Sequence, residues 1–262
     1  MAKQLGIGPL LNFYNRQDKS DIYHKIAGIL LKNMNQIGTM SIQDAAAICY
    51  TSTATISRMA KKAGYDGFND LKAEAMRHCS IYFQENRVIS PDKLVHTDTA
   101  EVYLGTMIQM IEELERTLNR DEIIRAVSLI HSADAVYYFG TCDVARRFQQ
   151  DLNFSGKFVE VYQVFSADAP HMIEWEKNGV AIVENPGYPW FNSDEMVRKI
   201  KEYGLRVILI TCASQTALEG EVDVVFSLPG RKSGMDEVLY HALMTILSIE
   251  YRKRCMDGWY YK

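Results

Sequence analysis

The chain has 262 residues, of which 47% are hydrophobic, and a formal net charge of -4. A domain typically spans roughly 100–200 residues, so this length predicts one large or two smaller domains, and we expect two. The charge is unevenly distributed: residues 1–80 carry ten Lys and Arg against six Asp and Glu, and residues 81–262 carry 19 against 27. The acidic balance of the whole chain therefore does not exclude a nucleic-acid partner for its basic first part.

The five cysteines are widely scattered and form no C-x-x-C pair: Cys49, Cys79, Cys142, Cys212 and Cys255. This spacing argues against a disulfide framework and against a zinc site, and it fits a reducing cytosol. The six histidines lack metal-ligand spacing. The sequence also has no run of roughly 18 apolar residues and no secretion signal. We expect a soluble, cytoplasmic protein with no metal, no cofactor and no membrane contact.

Apolar residues recur at helical spacing through the first part of the chain, without strand-like alternation. Within it, residues 41–68 have the layout of a helix-turn-helix. They predict a short helix from about Ile42, a tight turn at Tyr50–Ser52 and a second helix that ends at Gly64. The Ser52 hydroxyl is suited to cap the second helix, and Gly64 is suited to end it in the left-handed conformation.

The second of these helices predicts a DNA-reading surface, because Ile56, Met59 and Ala60 face inward and polar side chains face outward. A recognition helix places its N-terminal residues at base edges in the major groove. The residues expected to read bases are Thr53, Ala54, Thr55 and Arg58, of which arginine can bind guanine in a bidentate manner. The expected phosphate contacts are Ser52, Ser57, Lys61, Lys62 and Lys72. The alternative is the solvated face of an ordinary helical domain.

The stretch Cys79–Asp98 contains Pro91 and predicts a linker, and residues Thr99–Asn119 predict a connecting helix. A second pattern begins after this helix. Short strands then alternate with amphipathic helices such as Val144–Leu152 and Asp194–Tyr203. The predicted strands are Ala135–Phe139, Val159–Val164, Val180–Val183, Val207–Ile210 and Val222–Phe226. This alternation predicts a doubly wound α/β domain with a parallel sheet. The expected boundaries are 1–78 for the DNA-binding domain, 79–119 for the linker and connecting helix, and 120–255 for the second domain.

One contiguous stretch carries a family pattern: Ala45-Ala46, Ser52-x-x-Thr55-Ile56-Ser57-Arg58 and Lys61-Lys62-Ala63-Gly64-Tyr65-x-Gly67-Phe68-x-x-Leu71-Lys72. It resembles the head of RpiR/MurR-type transcriptional regulators. Thr51 stands where that family usually has an apolar residue, and Ala45 and Ala63 stand where it usually has leucine, so we expect looser packing. The resemblance implies that the second domain has a sugar isomerase (SIS) fold. That fold is a five-stranded parallel sheet that binds phosphosugars at the carboxyl ends of its strands.

The same resemblance implies a ligand site at those strand ends, where loops and helix N-termini offer amide hydrogens. The residues expected to bind a ligand are Gly140, Thr141, Cys142, Glu184, Asn185, Gly187 and Ser233. The loop from Glu184 to Trp190 lacks the hydroxyls of the family's Ser-x-Ser-Gly-x-Thr, contains two prolines and adds a negative charge. Arg231 and Lys232 supply positive charge nearby. Three interpretations of the second domain remain open: it binds a phosphosugar, it binds an uncharged or cationic ligand, or it serves only in assembly.

The leading interpretation is a ligand-responsive homodimer, or a higher homo-oligomer, that binds double-stranded DNA and regulates genes of sugar use. The apolar helix Asp236–Tyr251 is expected to join the subunits through Val238, Leu239, Leu243, Ile246 and Leu247. Two alternatives remain. One is a SIS-fold sugar-phosphate isomerase that uses Glu184, Glu237 or His241 as acid or base. The other is an interaction module without sequence-specific DNA binding. We expect a regulator and not an enzyme.

Overall fold

The computed structural model describes residues 7–85, 98–140, 142–162, 174–185, 193–212, 218, 220–230 and 234–256. The chain forms two compact units, residues 3–86 and 87–262. No helix within these described ranges is long and apolar enough to cross a membrane.

The first unit is helical in all its described regular structure. Its helices are α1 (Gly8–Arg16), α2 (Ile22–Lys32), α3 (Met34–Ile37), α4 (Ile42–Ile48), α5 (Thr53–Lys62) and α6 (Phe68–Glu85). They surround one apolar core that includes Leu10, Ile26, Leu30, Ile56, Met59 and Leu71. Side chains fix the helix starts: Asp21 accepts a 2.7 Å hydrogen bond from the Tyr23 amide. Ser41 and Asp44 form a reciprocal capping box at α4.

Helix α6 is longer than the sequence predicts. It continues to Glu85, so residues 79–85, which were expected to begin the linker, are helical. The division between the two units falls after residue 86. The sequence places the boundary earlier because Pro91 and the polar residues around it favour a linker.

The second unit alternates helices and strands. In chain order these are α7 (Thr99–Thr117), α8 (Arg120–Ser132), β1 (Ala135–Phe139), α9 (Cys142–Phe154), β2 (Val159–Tyr162), β3 (Gly179–Asn185), α10 (Ser193–Glu202), β4 (Arg206–Thr211), β5 (Val224–Ser227) and α11 (Glu237–Cys255). All five predicted strands are present, although β5 begins at Val224 instead of Val222. Residues 163 and 164, predicted for the end of β2, lie outside the described residues. Helix α7 ends at Thr117, because Asn119 instead caps α8 by accepting a hydrogen bond from the Asp121 amide.

The strands form one five-stranded parallel sheet in the order β2-β1-β3-β4-β5. The side chains of one face, which include Val136, Tyr138 and Ile182, share a core with α7, α8, α9 and α11. Those of the other face, which include Tyr137 and Leu209, share a core with α10. Helices cover both faces of the sheet, which confirms the predicted doubly wound fold class.

Helix α11 does not present the assembly surface that the sequence predicts. Leu239, Leu243 and Leu247 are each 0% exposed and belong to the core beneath the sheet. Val238 and Ile246 are only partly buried. The apolar stripe of this helix is therefore largely buried within its own domain. The sequence could not distinguish the two cases, because a helix that packs on a sheet needs the same stripe as one that joins two subunits.

Candidate functional site: the recognition helix and the strand-end crevice

The helix-turn-helix forms as its end signals predict. The Ser52 hydroxyl accepts a 3.2 Å hydrogen bond from the Thr55 amide and lies 2.9 Å from the Thr55 hydroxyl. Helix α5 ends at Lys62, and Gly64 follows with a φ of +103°, which is a left-handed conformation. Ala46 and Ala45 are buried between the helices. The cap and the terminating glycine thus fix where the exposed face of α5 begins and ends.

Helix α5 separates its apolar and polar residues cleanly. Ile56, Met59 and Ala60 are fully buried. The exposed predicted contacts are Ser52, Thr53, Ala54, Arg58, Lys61 and Lys62, and the half-buried ones are Thr55 and Ser57. The Arg58 side chain runs back along its own helix, where Nε donates a 3.3 Å hydrogen bond to the Ala54 carbonyl. The described geometry places these residues together on one exposed side of the domain.

Two of the predicted phosphate-binding lysines also have partners within the domain. The Lys72 ammonium donates a 3.0 Å hydrogen bond to the Met40 carbonyl and its side chain is half-buried. The Lys62 ammonium lies 4.5 Å from the centre of the Tyr23 ring, a cation–π geometry. Among these three lysines, Lys61 is therefore the most readily available positive charge for a phosphate.

The second candidate site lies at the carboxyl ends of β1, β3 and β4. Gly140 follows β1, and Glu184 and Asn185 end β3. Thr211 ends β4. Parallel strands bring their carboxyl ends to one edge of the sheet, and open α/β folds bind ligands there. Glu184, Asn185 and Thr211 are buried, at 2%, 7% and 0% exposure, so buried polar side chains lie at this edge of the sheet. This region is called the strand-end crevice below.

Glu184 and Gly140 are in very close contact. A Cβ atom added to Gly140 would lie only 2.4 Å from the Glu184 carboxyl carbon, so any larger residue here would force the Glu184 side chain to move. The Tyr138 hydroxyl donates a hydrogen bond to Glu184 Oε1. Burial and the adjacent Glu184 raise the pKa of Tyr138 well above its usual range, so the hydroxyl stays protonated and remains a donor. The carboxylate is thus held in a fixed orientation.

A second group of polar side chains lies beside Glu184. A Cβ at Gly230 would lie 2.4 Å from Cys212 Sγ and 2.9 Å from Asp236 Oδ2, so these atoms pack against the glycine backbone. Burial raises the pKa of Cys212 to about 12, and Asp236 and Glu184 add to the shift. Burial likewise raises the pKa of Tyr240, with further contributions from Cys212, Glu184 and Asp236. These groups form one buried, predominantly acidic cluster.

The structure brings together three of the predicted ligand residues: Gly140, Glu184 and Asn185. Thr141, Gly187 and Ser233 lie outside the described residues, as do Arg231 and Lys232, and Cys142 is described only as the first residue of α9. The sequence analysis missed Tyr138, Thr211, Cys212, Asp236 and Tyr240. The rule that ligands bind at strand ends could have identified Thr211 and Cys212, whereas Asp236 and Tyr240 reach the crevice only through tertiary packing.

Two of the three residues that the isomerase alternative would use as acid or base are exposed, whereas Glu184 is buried. Glu237 and His241 lie one turn apart on the exposed side of α11. Asp236 and Tyr240, at 5% exposure each, are the residues that contribute to the buried cluster near Glu184. A carboxylate and an imidazole that act on one substrate must reach it from the same side.

A basic helix-turn-helix domain followed by a doubly wound domain with a strand-end crevice defines a class of protein: a helix-turn-helix transcriptional regulator with an α/β second domain. Comparisons with known proteins agree. Residues 12–80 match the model of the helix-turn-helix domain of the rpiR family. The uncharacterized HTH-type transcriptional regulator YbbH of Bacillus subtilis (strain 168) is 25% identical over 204 residues, which cover 76% of this chain and 72% of that protein.

Two solved structures show the same fold. The Vibrio vulnificus NanR protein, complexed with ManNAc-6P, superposes with a TM-score of 0.50 at 16% identity over 94% of this chain and 92% of its own. The sugar isomerase domain of the RpiR transcription factor from Sphaerobacter thermophilus gives a TM-score of 0.51 at 18% identity over 60% of this chain and 92% of its own. Residues 12–80 thus have the pattern of an rpiR-type helix-turn-helix domain, and the second unit has the fold of a sugar isomerase (SIS) domain.

Proposed function

We propose that this regulator binds operator DNA as a homodimer in the cytoplasm, controls genes of sugar use, and responds to a sugar or sugar derivative in its second domain. The observation that carries the proposal is the exposed basic face of α5 within an rpiR-family helix-turn-helix domain. Thr53, Ala54, Thr55 and Arg58 read bases. Ser52, Ser57, Lys61, Lys62 and Lys72 contact phosphates, although Lys62 and Lys72 keep their partners within the domain.

DNA binding is tested with the full-length protein and sequences selected from random DNA. Affinity is measured for the selected sequence and for a scrambled one between about 50 and 200 mM salt. We expect a steep fall in affinity with salt for both sequences, because Lys and Arg contacts release counterions from the DNA, and a clear preference for the selected sequence. Binding that is insensitive to salt, or without any preference, contradicts the proposal.

The effector site uses the crevice residues Gly140, Glu184 and Asn185, together with Thr141, Cys142, Gly187 and Ser233. A buried carboxylate held by Tyr138 accepts hydrogen bonds from sugar hydroxyls but repels a phosphate dianion. NanR was solved with a sugar phosphate; the Glu184 carboxylate favours a ligand without a phosphate in this chain. The proposed effector is therefore an uncharged or cationic sugar derivative.

Calorimetry with matched pairs of sugars and sugar phosphates tests this choice, using the wild type and Glu184→Gln. The substitution removes the charge and keeps the shape and an oxygen that accepts from Tyr138. Unphosphorylated ligands should bind the wild type more tightly than their phosphates, and the variant should reduce or reverse that preference. Micromolar binding of a hexose or pentose phosphate to the wild type, unchanged in Glu184→Gln, overturns the choice and leaves DNA binding untouched.

We further propose that the second domain does not catalyse a reaction. The exposed positions of Glu237 and His241, and a Cys212 thiol whose pKa of about 12 keeps it protonated at neutral pH, support this proposal. Incubation of the protein with aldose and ketose phosphates, followed by NMR, should detect no interconversion above the uncatalysed rate. Turnover that disappears in Glu184→Gln would establish the isomerase alternative.

A homodimer requires an apolar surface that is not already used. Helix α7 offers one, because Leu104, Ile108 and Ile111 lie on one side of it and are 55%, 59% and 40% exposed. A second copy fits this face, since helix-turn-helix proteins commonly read two half-sites as symmetric dimers. Sedimentation should show a dimer for the wild type and a monomer for Ile108→Asp. Ile249→Asp, which alters an exposed residue of α11, is the control and should remain dimeric; the reverse result contradicts the α7 surface.

A further inference from the structure

The turn between α4 and α5 contains Tyr50, the only described residue other than glycine with a positive φ, at +51°. Helix α4 ends there in a Schellman motif: the Thr51 amide donates to the Ala46 carbonyl at 3.0 Å and the Tyr50 amide to the Ala47 carbonyl at 3.1 Å. Tyr50 occupies the left-handed position of that motif. A bulky side chain is strained in this conformation, which glycine adopts freely.

The same chain ends two other helices with this pair of hydrogen bonds, and both use glycine. After α5, the Tyr65 amide donates to the Ala60 carbonyl around Gly64, which has a φ of +103°. After α9, the Lys157 amide donates to the Leu152 carbonyl around Gly156, which has a φ of +76°. Tyr50 is thus the exception among three equivalent helix ends, and backbone strain of this kind tends to occur at functional sites.

The Tyr50 side chain does not compensate for the strain by packing. It is 94% exposed, the highest exposure among the large apolar and aromatic side chains that the structure describes. It lies two residues before Ser52, the residue that caps α5. In a helix-turn-helix bound to DNA, the start of the recognition helix enters the major groove, so the preceding turn lies near the groove edge, where the sugar–phosphate backbone runs.

We propose that Tyr50 contacts the DNA backbone: its hydroxyl donates a hydrogen bond to a phosphate oxygen and its ring packs on the adjacent deoxyribose. This contact positions α5 in the groove and reads no base. The inference rests on the proposed DNA-binding function. It explains why a tyrosine occupies a position at which glycine would give a more stable turn.

Tyr50→Gly separates the two roles, because relief of strain and loss of the contact have opposite signs. We expect its melting temperature to rise by several degrees. Its affinity for DNA should fall about 3- to 10-fold, as expected for the loss of one hydrogen bond and its ring contact. The loss should be equal for selected and scrambled sequences, and the dependence of affinity on salt should keep its slope, because tyrosine carries no charge.

Two further variants complete the experiment. Tyr50→Phe lacks only the hydroxyl, so it should keep the wild-type melting temperature. Because it cannot donate to the phosphate, it should show most of the affinity loss expected for Tyr50→Gly. Phe154→Ala removes an aromatic side chain that is 89% exposed in the second domain and should leave DNA binding unchanged. Tyr50→Gly that binds DNA as tightly as the wild type overturns the proposal. A wild type that binds no DNA overturns the proposed function itself.

Discussion

The recognition helix and the strand-end crevice place their polar groups in opposite ways. On α5 the polar side chains lie at the surface over a fully apolar core that contains Ile56 and Met59. In the crevice, Glu184 and Asp236 are buried at 2% and 5% exposure. A surface charge keeps its hydration until a partner arrives, so it suits a long, regularly charged ligand such as DNA. A buried carboxylate must be compensated by the fold or the ligand, so it selects a small ligand by charge and hydrogen bonding.

Substitution of Gly140 by alanine should give the largest effect on stability. The new Cβ would lie 2.4 Å from the Glu184 carboxyl carbon, so the buried side chain must shift, at a cost of about 1–3 kcal/mol. Thermal and urea unfolding measure the loss. Gly105→Ala is the matched control: this glycine lies within α7 with no atom within 4 Å of the new Cβ, and the change should stabilise the protein by about 0.5–1 kcal/mol. An equal effect of the two substitutions would mean that the crevice floor is loosely packed.

Substitution of Arg58 by alanine should remove sequence preference. A bidentate arginine contact to guanine contributes about 1–3 kcal/mol of discrimination, so the preference for selected over scrambled DNA should fall roughly 5- to 150-fold. Lys61→Ala is the comparison, because it should weaken binding to both sequences by the same factor. Titrations of labelled duplexes measure both quantities. If both variants lose affinity uniformly, the assignment of base and phosphate contacts is wrong.

The smallest expected effect concerns the capping box of α4. The Ser41 hydroxyl and amide donate to the Asp44 carboxylate at 2.7 and 2.9 Å, and these hydrogen bonds lower the pKa of Asp44 in the folded state. The associated stabilisation is therefore complete above the unfolded pKa of about 4 and is lost as the pH falls through the lower folded value. The melting temperature of the wild type should exceed that of Asp44→Asn slightly at pH 6, and the difference should shrink towards pH 3. A difference that does not change with pH would exclude the carboxylate charge as its cause.

The sequence predicts the fold well because the relevant signals are local. Continuous apolar runs mark buried parallel strands, and Ser52 and Gly64 mark the ends of α5 through their own hydrogen bonds and backbone angles. The surface of α11 could not be predicted in this way. A stripe of leucines has the same periodicity whether it packs on the domain's own sheet or on another subunit, and only the tertiary structure shows that Leu243 is buried within its own domain.

The sequence predicts the candidate site only in part, because some of its residues follow from local sequence signals and others depend on tertiary packing. Glu184 and Asn185 follow directly from the position of β3, so the sequence identifies them. Tyr138 and Tyr240 come from the middle of a strand and from a helix, and nothing local distinguishes them from ordinary core aromatics. The assignments of individual residues to DNA and to ligand remain predictions that the substitutions above test.

Aromatic residues on the sheet face that packs against α10 give the molecule an intrinsic optical probe. The Trp175 ring lies 4.8 Å from that of Tyr137, 6.1 Å from that of Phe139 and 5.7 Å from that of Tyr203, measured between ring centres. Tyr137 and Phe139 belong to β1, the strand that leads directly to Gly140. A ligand that displaces the end of this strand should alter the emission of Trp175, and substitution of Trp190 and Trp259 by phenylalanine would leave that signal isolated. Occupancy of the crevice then becomes visible by fluorescence without any attached label.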